Sequence, residues 1–167
     1  TIANSYFITK ERAESYNKNH PDKEPIHKYG TVGCVALDSK GNLAAGTSTG
    51  GMSDKEYGRI GDSPIIGAGT YANNETVAVS ATGHGEWFIR FSVAHDIHAM
   101  VDYKRWTVER ASDFIIQRKL NYFDVNGGVI VLDKNGEIAM PFNTPGMYRG
   151  YLKSTGEQAV MLYDDEE

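Results

Sequence analysis

Cysteine is almost absent from this chain: Cys34 stands alone in 167 residues. No disulfide can form within the chain, and cysteine usage gives no reading of the compartment. Long apolar runs are missing too. No stretch reaches the roughly 18 consecutive apolar residues of a spanning helix, so no membrane span is expected. Positive charge is not in excess. The formal net charge is -5, which offers no electrostatic basis for binding nucleic acid or an anionic membrane. Neither a signal-peptide pattern nor an initiator Met stands at Thr1, so a missing upstream segment is expected. Glycine, by contrast, is plentiful. Its 18 copies point to tight turns and close backbone approaches rather than long helices. The 40% hydrophobic and 23% charged fractions are those of a folded globular chain, and the length suggests about one domain.

Residues 1–30 differ in texture from the rest. Thr9 can cap a polar helix over Lys10–Lys18, and the run His20-Pro21-Asp22-Lys23-Glu24-Pro25 ends it. Ile26 to Gly30 reads as an exposed linker. From Thr31 the chain changes. Val32–Leu37 reads as a buried strand, Asp38–Asn42 as a turn and Leu43–Thr47 as a second strand. Gly46 to Gly69 is loop-like. Glu75–Thr82 is a strand, followed by Gly83-His84-Gly85 and a helix from Glu86 to about Asp102. Phe88, Phe91, Ile97 and Val101 fall on or near one face of that helix. Thr107 caps a helix running to Leu120, with Glu109 in its first turn. Val129–Leu132 and Glu137–Met140 flank a second turn, Asp133–Gly136, of the same kind as the first. Tyr148–Leu152 and Gln158–Tyr163 read as final strands. Strands, then two helices, then strands predict an α+β layered fold rather than alternating βαβ units.

Gly30-Thr31 sits where the polar segment meets the first strand. A threonine hydroxyl is a weak nucleophile. It becomes competent if the chain is cut just before it, because its own freed α-amine can serve as base. A glycine at the preceding position can take the strained conformation that lets the hydroxyl attack the Gly30 carbonyl. Taken alone, the pair reads more plainly as the opening of a strand.

The surroundings carry more. GTVGCVALDSKGNLAAGTSTGGM, GRIGDSP, GAGTYANN, ATGHGE and PFNTPGMYRG follow one another between Gly30 and about Tyr151. In that order they closely resemble the β subunit of plant-type asparaginases, also called isoaspartyl peptidases, of the N-terminal-nucleophile hydrolases. The resemblance implies autocleavage between Gly30 and Thr31, with Thr31 as nucleophile and the Thr49 hydroxyl bonded to it. It implies that Arg59 binds the substrate α-carboxylate and Asp62 its α-ammonium. A guanidinium grips a carboxylate with two parallel hydrogen bonds, which suits that division. The alternative for Arg59 and Asp62 is an ordinary surface ion pair. Thr82 and Gly83 are implied as the oxyanion hole, through the Thr82 hydroxyl and the Gly83 N–H, at a strand end just ahead of a helix. Gly85 is implied as a backbone contact to substrate. For each glycine-rich turn the alternative is a turn without a ligand.

The implied fold is a four-layer αββα sandwich, two antiparallel sheets between helical layers, shared with an α-subunit portion absent from this chain. Residues 1–30 would be the tail of that α subunit and 31–167 the catalytic β subunit, with a dimer of αβ pairs as the working unit. Relatives' α subunits supply an Asn near the substrate and a structural sodium; this chain is expected to need no cofactor and to hold no metal. The implied substrates are small, L-asparagine or an isoaspartyl dipeptide.

Several residues admit other readings. Cys34 reads as a small buried hydrophobe rather than a reactive thiol. His84 and Trp87 either shape the leaving-group side of a pocket or face solvent and pack. His95 and His98, three apart on a helix, favour packing or a subunit contact over a metal. Two rivals stand beside the plant-type reading. Glycosylasparaginases share the GRIGDSP-like stretch and the oxyanion Thr-Gly but usually carry Asp-Thr at the cut. A non-catalytic binding module would use the glycine loops only as turns.

Overall fold

The computed structural model describes residues 30–51, Lys55 and 58–163, together with Lys10, Glu14 and Lys18. Those last three are helical, as expected of a helix over Lys10–Lys18; the other residues of that span, residues 26–29 of the expected linker and the last four residues lie outside the described residues. The chain divides into two compact units. One takes in Thr1–Val32 and Ser48–Arg59, the other Gly33–Thr47 and Ile60–Glu167.

Strands β1 (Thr31–Leu37) and β2 (Leu43–Thr49) form a two-stranded sheet. Asp38 builds the turn between them. Its Oδ1 accepts the N–H groups of Lys40 and Asn42, both at 2.8 Å, and Gly41 takes the left-handed φ of 84° that the turn needs. Asp133 repeats the device between β5 (Gly127–Asp133) and β6 (Ile138–Ala139), accepting from Asn135 and Glu137, with Gly136 at φ 89°. Both turns were readable because one aspartate side chain specifies each locally.

The central sheet has the order β3-β4-β5-β6, all neighbours antiparallel, with β3 at Thr70–Ala72 and β4 at Val77–Gly83. β3 lies just after the loop-like stretch Gly46–Gly69, where the sequence reads as no element, since three residues are too few to show a period. Along β4, Val77, Val79 and Ala81 point to one face and join Val129 and Val131 of β5 in the core. Helices cover that face: α1 (Gly85–Phe91), α2 (Val93–Lys104), α3 (Val108–Asp113) and a π-helical continuation, Phe114–Leu120. Phe88, Val93, Ile97, Ile115, Ile116 and Leu120 are fully buried there. Each such side chain stabilises the fold by about 1.5–3 kcal/mol relative to exposure. From the other face of β4, Ser80 meets the Thr47 hydroxyl of β2 at 2.6 Å, and Thr47 also donates to the Gly69 carbonyl at 2.9 Å. A Cβ on Gly33 would overlap the Ser80 hydroxyl, so the second glycine of GTVG is what lets β1 approach. β7 (Arg149–Leu152) and β8 (Gln158–Met161) pair separately. The whole is a mixed arrangement of sheets and a few helices. Among the described residues no helix is long and apolar enough to cross a membrane.

Three expectations need correcting. The helix from Glu86 is two helices. Ser92 sits at φ 49° between them, and the Gly67 and Ala68 carbonyls accept the His95 and Ala94 N–H groups at 2.9 and 3.1 Å. A loop distant in sequence thus caps α2 and sets the break. Thr107 does cap α3, accepting from the Arg110 N–H at 3.2 Å, but the expected single helix changes to π winding from Phe114. Finally, β1 is not buried. Val32 is 69% exposed and Cys34 is exposed, so Cys34 is not the buried hydrophobe expected. Apolar alternation in β1 marks a surface suited to burial, but only Val35 and Leu37 are even half-buried.

His95 and His98 resolve as packing. Tyr71 of β3 meets both rings, and the Thr76 hydroxyl bonds the buried His98 Nδ1 at 2.7 Å. Burial holds the His98 pKa below 6.5, aided by neighbouring His95 and opposed by Asp102. The folded state therefore binds fewer protons than the unfolded chain near that value, and stability falls as pH drops below it. The melting temperature of the parent should decline from about pH 6.5 downward more steeply than that of His98→Gln; parallel slopes would remove this role from His98.

Candidate active site

The hydroxyls of Thr31 and Thr49 stand together. Thr31 Oγ1 donates to Thr49 Oγ1 at 3.3 Å, and Thr49 Oγ1 also accepts the Gly51 N–H at 2.9 Å. Strand β2 runs two residues past Thr47, the end read from sequence, and that extension delivers Thr49 to Thr31. Thr31 is exposed and Thr49 half-buried, so the pair is open to a reactant from the Thr31 side. Chemically this is a hydroxyl at the head of a strand whose proton already has an acceptor, the first requirement of a hydroxyl nucleophile.

Asp62 belongs to the other unit and is only 6% exposed. Its carbonyl accepts the Ile65 and Gly69 N–H groups at 2.9 and 3.2 Å, closing a turn over Ser63-Pro64. Two glycines make room for its side chain. A Cβ on Gly69 would lie 2.8 Å from Oδ2, and one on Gly85 would lie 2.9 Å from Oδ1. Three of the motifs, GRIGDSP, GAGT and ATGHGE, thus meet at a single carboxylate. Arg59 is exposed.

Thr82 and Gly83 end β4, opposite Gly128 and Gly127 of β5. The backbone is crowded there. A Cβ on Gly83 would come 2.7 Å from the Asn126 carbonyl oxygen and strike the Phe88 ring, and one on Gly127 would meet that ring and the Thr82 carbonyl. Gly83 also sits at φ 154°, which favours glycine. His84 then turns the chain into α1. Its N–H donates to Asn126 O at 3.3 Å, and its carbonyl accepts from Trp87 and Phe88 at 2.9 and 3.2 Å. His84 gives the helix no side-chain cap. A half-buried threonine hydroxyl and a rigid glycine backbone thus stand where a strand passes into a helix start, a local environment that favours negative charge. Trp87, the other residue with two readings, packs: its ring meets Phe91 at 5.5 Å and Phe123 at 5.9 Å, with the Arg90 guanidinium 4.6 Å above it.

Asn126, Asn143 and Phe88 shape this end of β4 and were not readable as such. Their contacts join segments far apart in sequence, although Asn143 lies in PFNTPGM, a motif with no assigned role. A cavity of about 660 Å³ lies elsewhere, against α3 and β6. It is lined by Glu109, Asp113, Asp133 and Glu137 and contains none of the candidate residues, and its carboxylates suit no acidic substrate.

Residues 3–162 match the model of the asparaginase family. The chain is 50% identical over 148 residues to the isoaspartyl peptidase of Escherichia coli K12, an alignment covering 87% of this chain and 46% of that protein. It is 52% identical over 130 residues to the isoaspartyl peptidase of Salmonella typhimurium LT2, covering 77% and 42%. With the isoaspartyl peptidase/L-asparaginase of Danio rerio it shares 41% over 142 residues, covering 82% and 46%. The chain thus spans less than half the length of these curated relatives. On the extent of the family match and the identity to these proteins, this chain belongs to the asparaginase family.

Proposed function

We propose that this chain is the catalytic part of an N-terminal-nucleophile amidohydrolase that converts isoaspartyl peptides and L-asparagine to aspartate. The observation that carries the reading is the 3.3 Å contact between the hydroxyls of Thr31 and Thr49. The names of the relatives, isoaspartyl peptidase and L-asparaginase, support the substrate class.

In this mechanism the Thr31 hydroxyl first attacks the Gly30 carbonyl, the acyl group moves from N to O, and water hydrolyses the ester. The freed Thr31 amine then acts as base. In turnover Thr31 Oγ1 attacks the side-chain amide carbonyl of the substrate and its proton passes to the amine. The tetrahedral oxyanion is held by the Thr82 hydroxyl and the Gly83 N–H. It collapses to a β-aspartyl ester as the amine or ammonia leaves with a proton. Water hydrolyses the ester, releasing aspartate and restoring the Thr31 hydroxyl. Arg59 takes the α-carboxylate and Asp62 the α-ammonium, with Gly85 contacting substrate through its backbone. None of these steps calls for a redox or organic cofactor, and a structural sodium would belong to the α portion.

The assembly proposed is a four-layer αββα sandwich, with residues 1–30 as the tail of an α subunit, 31–167 as the β subunit, and a dimer of αβ pairs. That the alignments take in under half of each relative fits a further portion of the protein. A substrate panel offered to the whole protein tests the reading. β-Aspartyl-leucine and L-asparagine should be turned over and glycosylated asparagine should not. Preference for glycosylated asparagine would move the chain to the glycosylasparaginase class, and no turnover of any of them would favour a binding module.

A further inference from the structure

Asn143 is wired to the β4–α1 junction by a set of bonds that only a carboxamide can make. Its Oδ1 accepts the Gly127 N–H at 2.7 Å, and its Nδ2 donates to the Val125 carbonyl at 2.8 Å and to Asn121 Oδ1 at 2.6 Å. Its backbone N–H donates to the Gly127 carbonyl at 3.0 Å. The orientation of the amide is fixed, since a peptide N–H can only donate and a peptide carbonyl can only accept.

These bonds grip both ends of the tripeptide Val125-Asn126-Gly127. The carbonyl in its middle, that of Asn126, accepts the His84 N–H and lies 2.7 Å from where a Gly83 Cβ would be. Gly127 pairs with Gly83 across the sheet. The holder is itself held. Val129 donates to Pro141 O at 3.0 Å, Gly128 bridges Phe142, and Gln117 Nε2 donates to Phe142 O at 2.8 Å from the π-helical segment. Asn143 is half-buried and Asn121 is exposed, and Asn143 Nδ2 also reaches the Ile116 carbonyl at 3.5 Å.

We infer that Asn143 is a positioning residue for the oxyanion hole: through Val125, Asn126 and Gly127 it sets the backbone of Gly83 and His84 against which negative charge develops. This rests on the assignment of Thr82 and Gly83 given above. The substitution Asn143→Asp preserves the side chain's shape and the acceptor for Gly127. It replaces the Val125 donor with a second acceptor, so that contact turns repulsive.

The test is the steady-state kinetics of Asn143→Asp in the whole protein on β-aspartyl-leucine, normalised to the fraction of chains beginning at Thr31. kcat should fall about ten- to a hundredfold with KM within about twofold, because misplacement of donors reached only in the transition state costs rate rather than ground-state binding. The loss should shrink as pH is lowered, since protonating the introduced carboxylate restores a donor toward Val125. Should Asn143→Asp fold poorly, Asn121→Ala removes the outer bond to Asn143, together with a local bond to the Gln117 carbonyl, and should lower kcat by a smaller factor, again at constant KM. A parental kcat in a folded Asn143→Asp protein, or in Asn121→Ala if that is the variant measured, would overturn the inference, as would a loss confined to thermal stability. A parental kcat in Thr82→Val would instead put the oxyanion assignment at fault.

Discussion

Thr31→Ala is expected to lower turnover of β-aspartyl-leucine by about 10⁴-fold or more, the scale on which hydrolases lose rate when the nucleophile is deleted. The same change removes the hydroxyl that would cut the chain, so the peptide bond following Gly30 should also stay intact. Folding should survive. Thr31 is exposed at the first position of β1, and its described side-chain contact is the single bond to Thr49. The paired readouts are turnover and intact mass. A Thr31→Ser protein, which keeps a hydroxyl but loses the rotamer restriction of β-branching, should cut itself and retain part of the rate. Parental turnover by Thr31→Ala would remove the residue from the chemistry.

The next largest effect is expected at Thr82→Val. Valine keeps the shape and β-branching of threonine, and residue 82 pairs with Gly128 through its backbone, so β4 should be undisturbed. What disappears is the one hydroxyl proposed as a donor to the developing oxyanion. Loss of one such donor typically lowers kcat about 10²–10³-fold, or about 3–4 kcal/mol of barrier. KM should hardly move, because the ground-state amide oxygen carries little charge. Stopped-time assays over a substrate range separate the two constants. If KM rises and kcat holds, Thr82 binds substrate uniformly and does not discriminate the transition state.

The parts of this molecule legible in its sequence are those specified by near neighbours. Asp38 and Asp133 each build a hairpin turn from atoms within four residues, and Thr107 caps a helix three residues on. Elements governed from afar were not legible. Ser92 breaks a helix because the carbonyls of Gly67 and Ala68 take the α2 donors, and nothing near Ser92 announces that loop. The π winding of Phe114–Leu120 has no pattern of its own. The exposure of Val32 shows the same limit in another form: apolar spacing shows which side is suited to burial, while the partner for that side is written elsewhere.

At the site, motif order singled out Thr31, Thr49, Asp62, Thr82 and Gly83, and the structure adds reasons for their surroundings. Gly69 and Gly85 are spaces around one carboxylate, and Gly83 and Gly127 are spaces around one aromatic ring. Asn143 stayed silent in the sequence because its four side-chain bonds reach back 16 to 27 residues.

The most direct test is peptide mass spectrometry of the whole protein, quenched with acid while turning over a β-aspartyl substrate. The account predicts a fragment whose first residue is Thr31 and, during turnover, an aspartyl ester on that residue alone. Full activity from a chain still continuous across Gly30-Thr31, or an ester found on any other side chain, would contradict it.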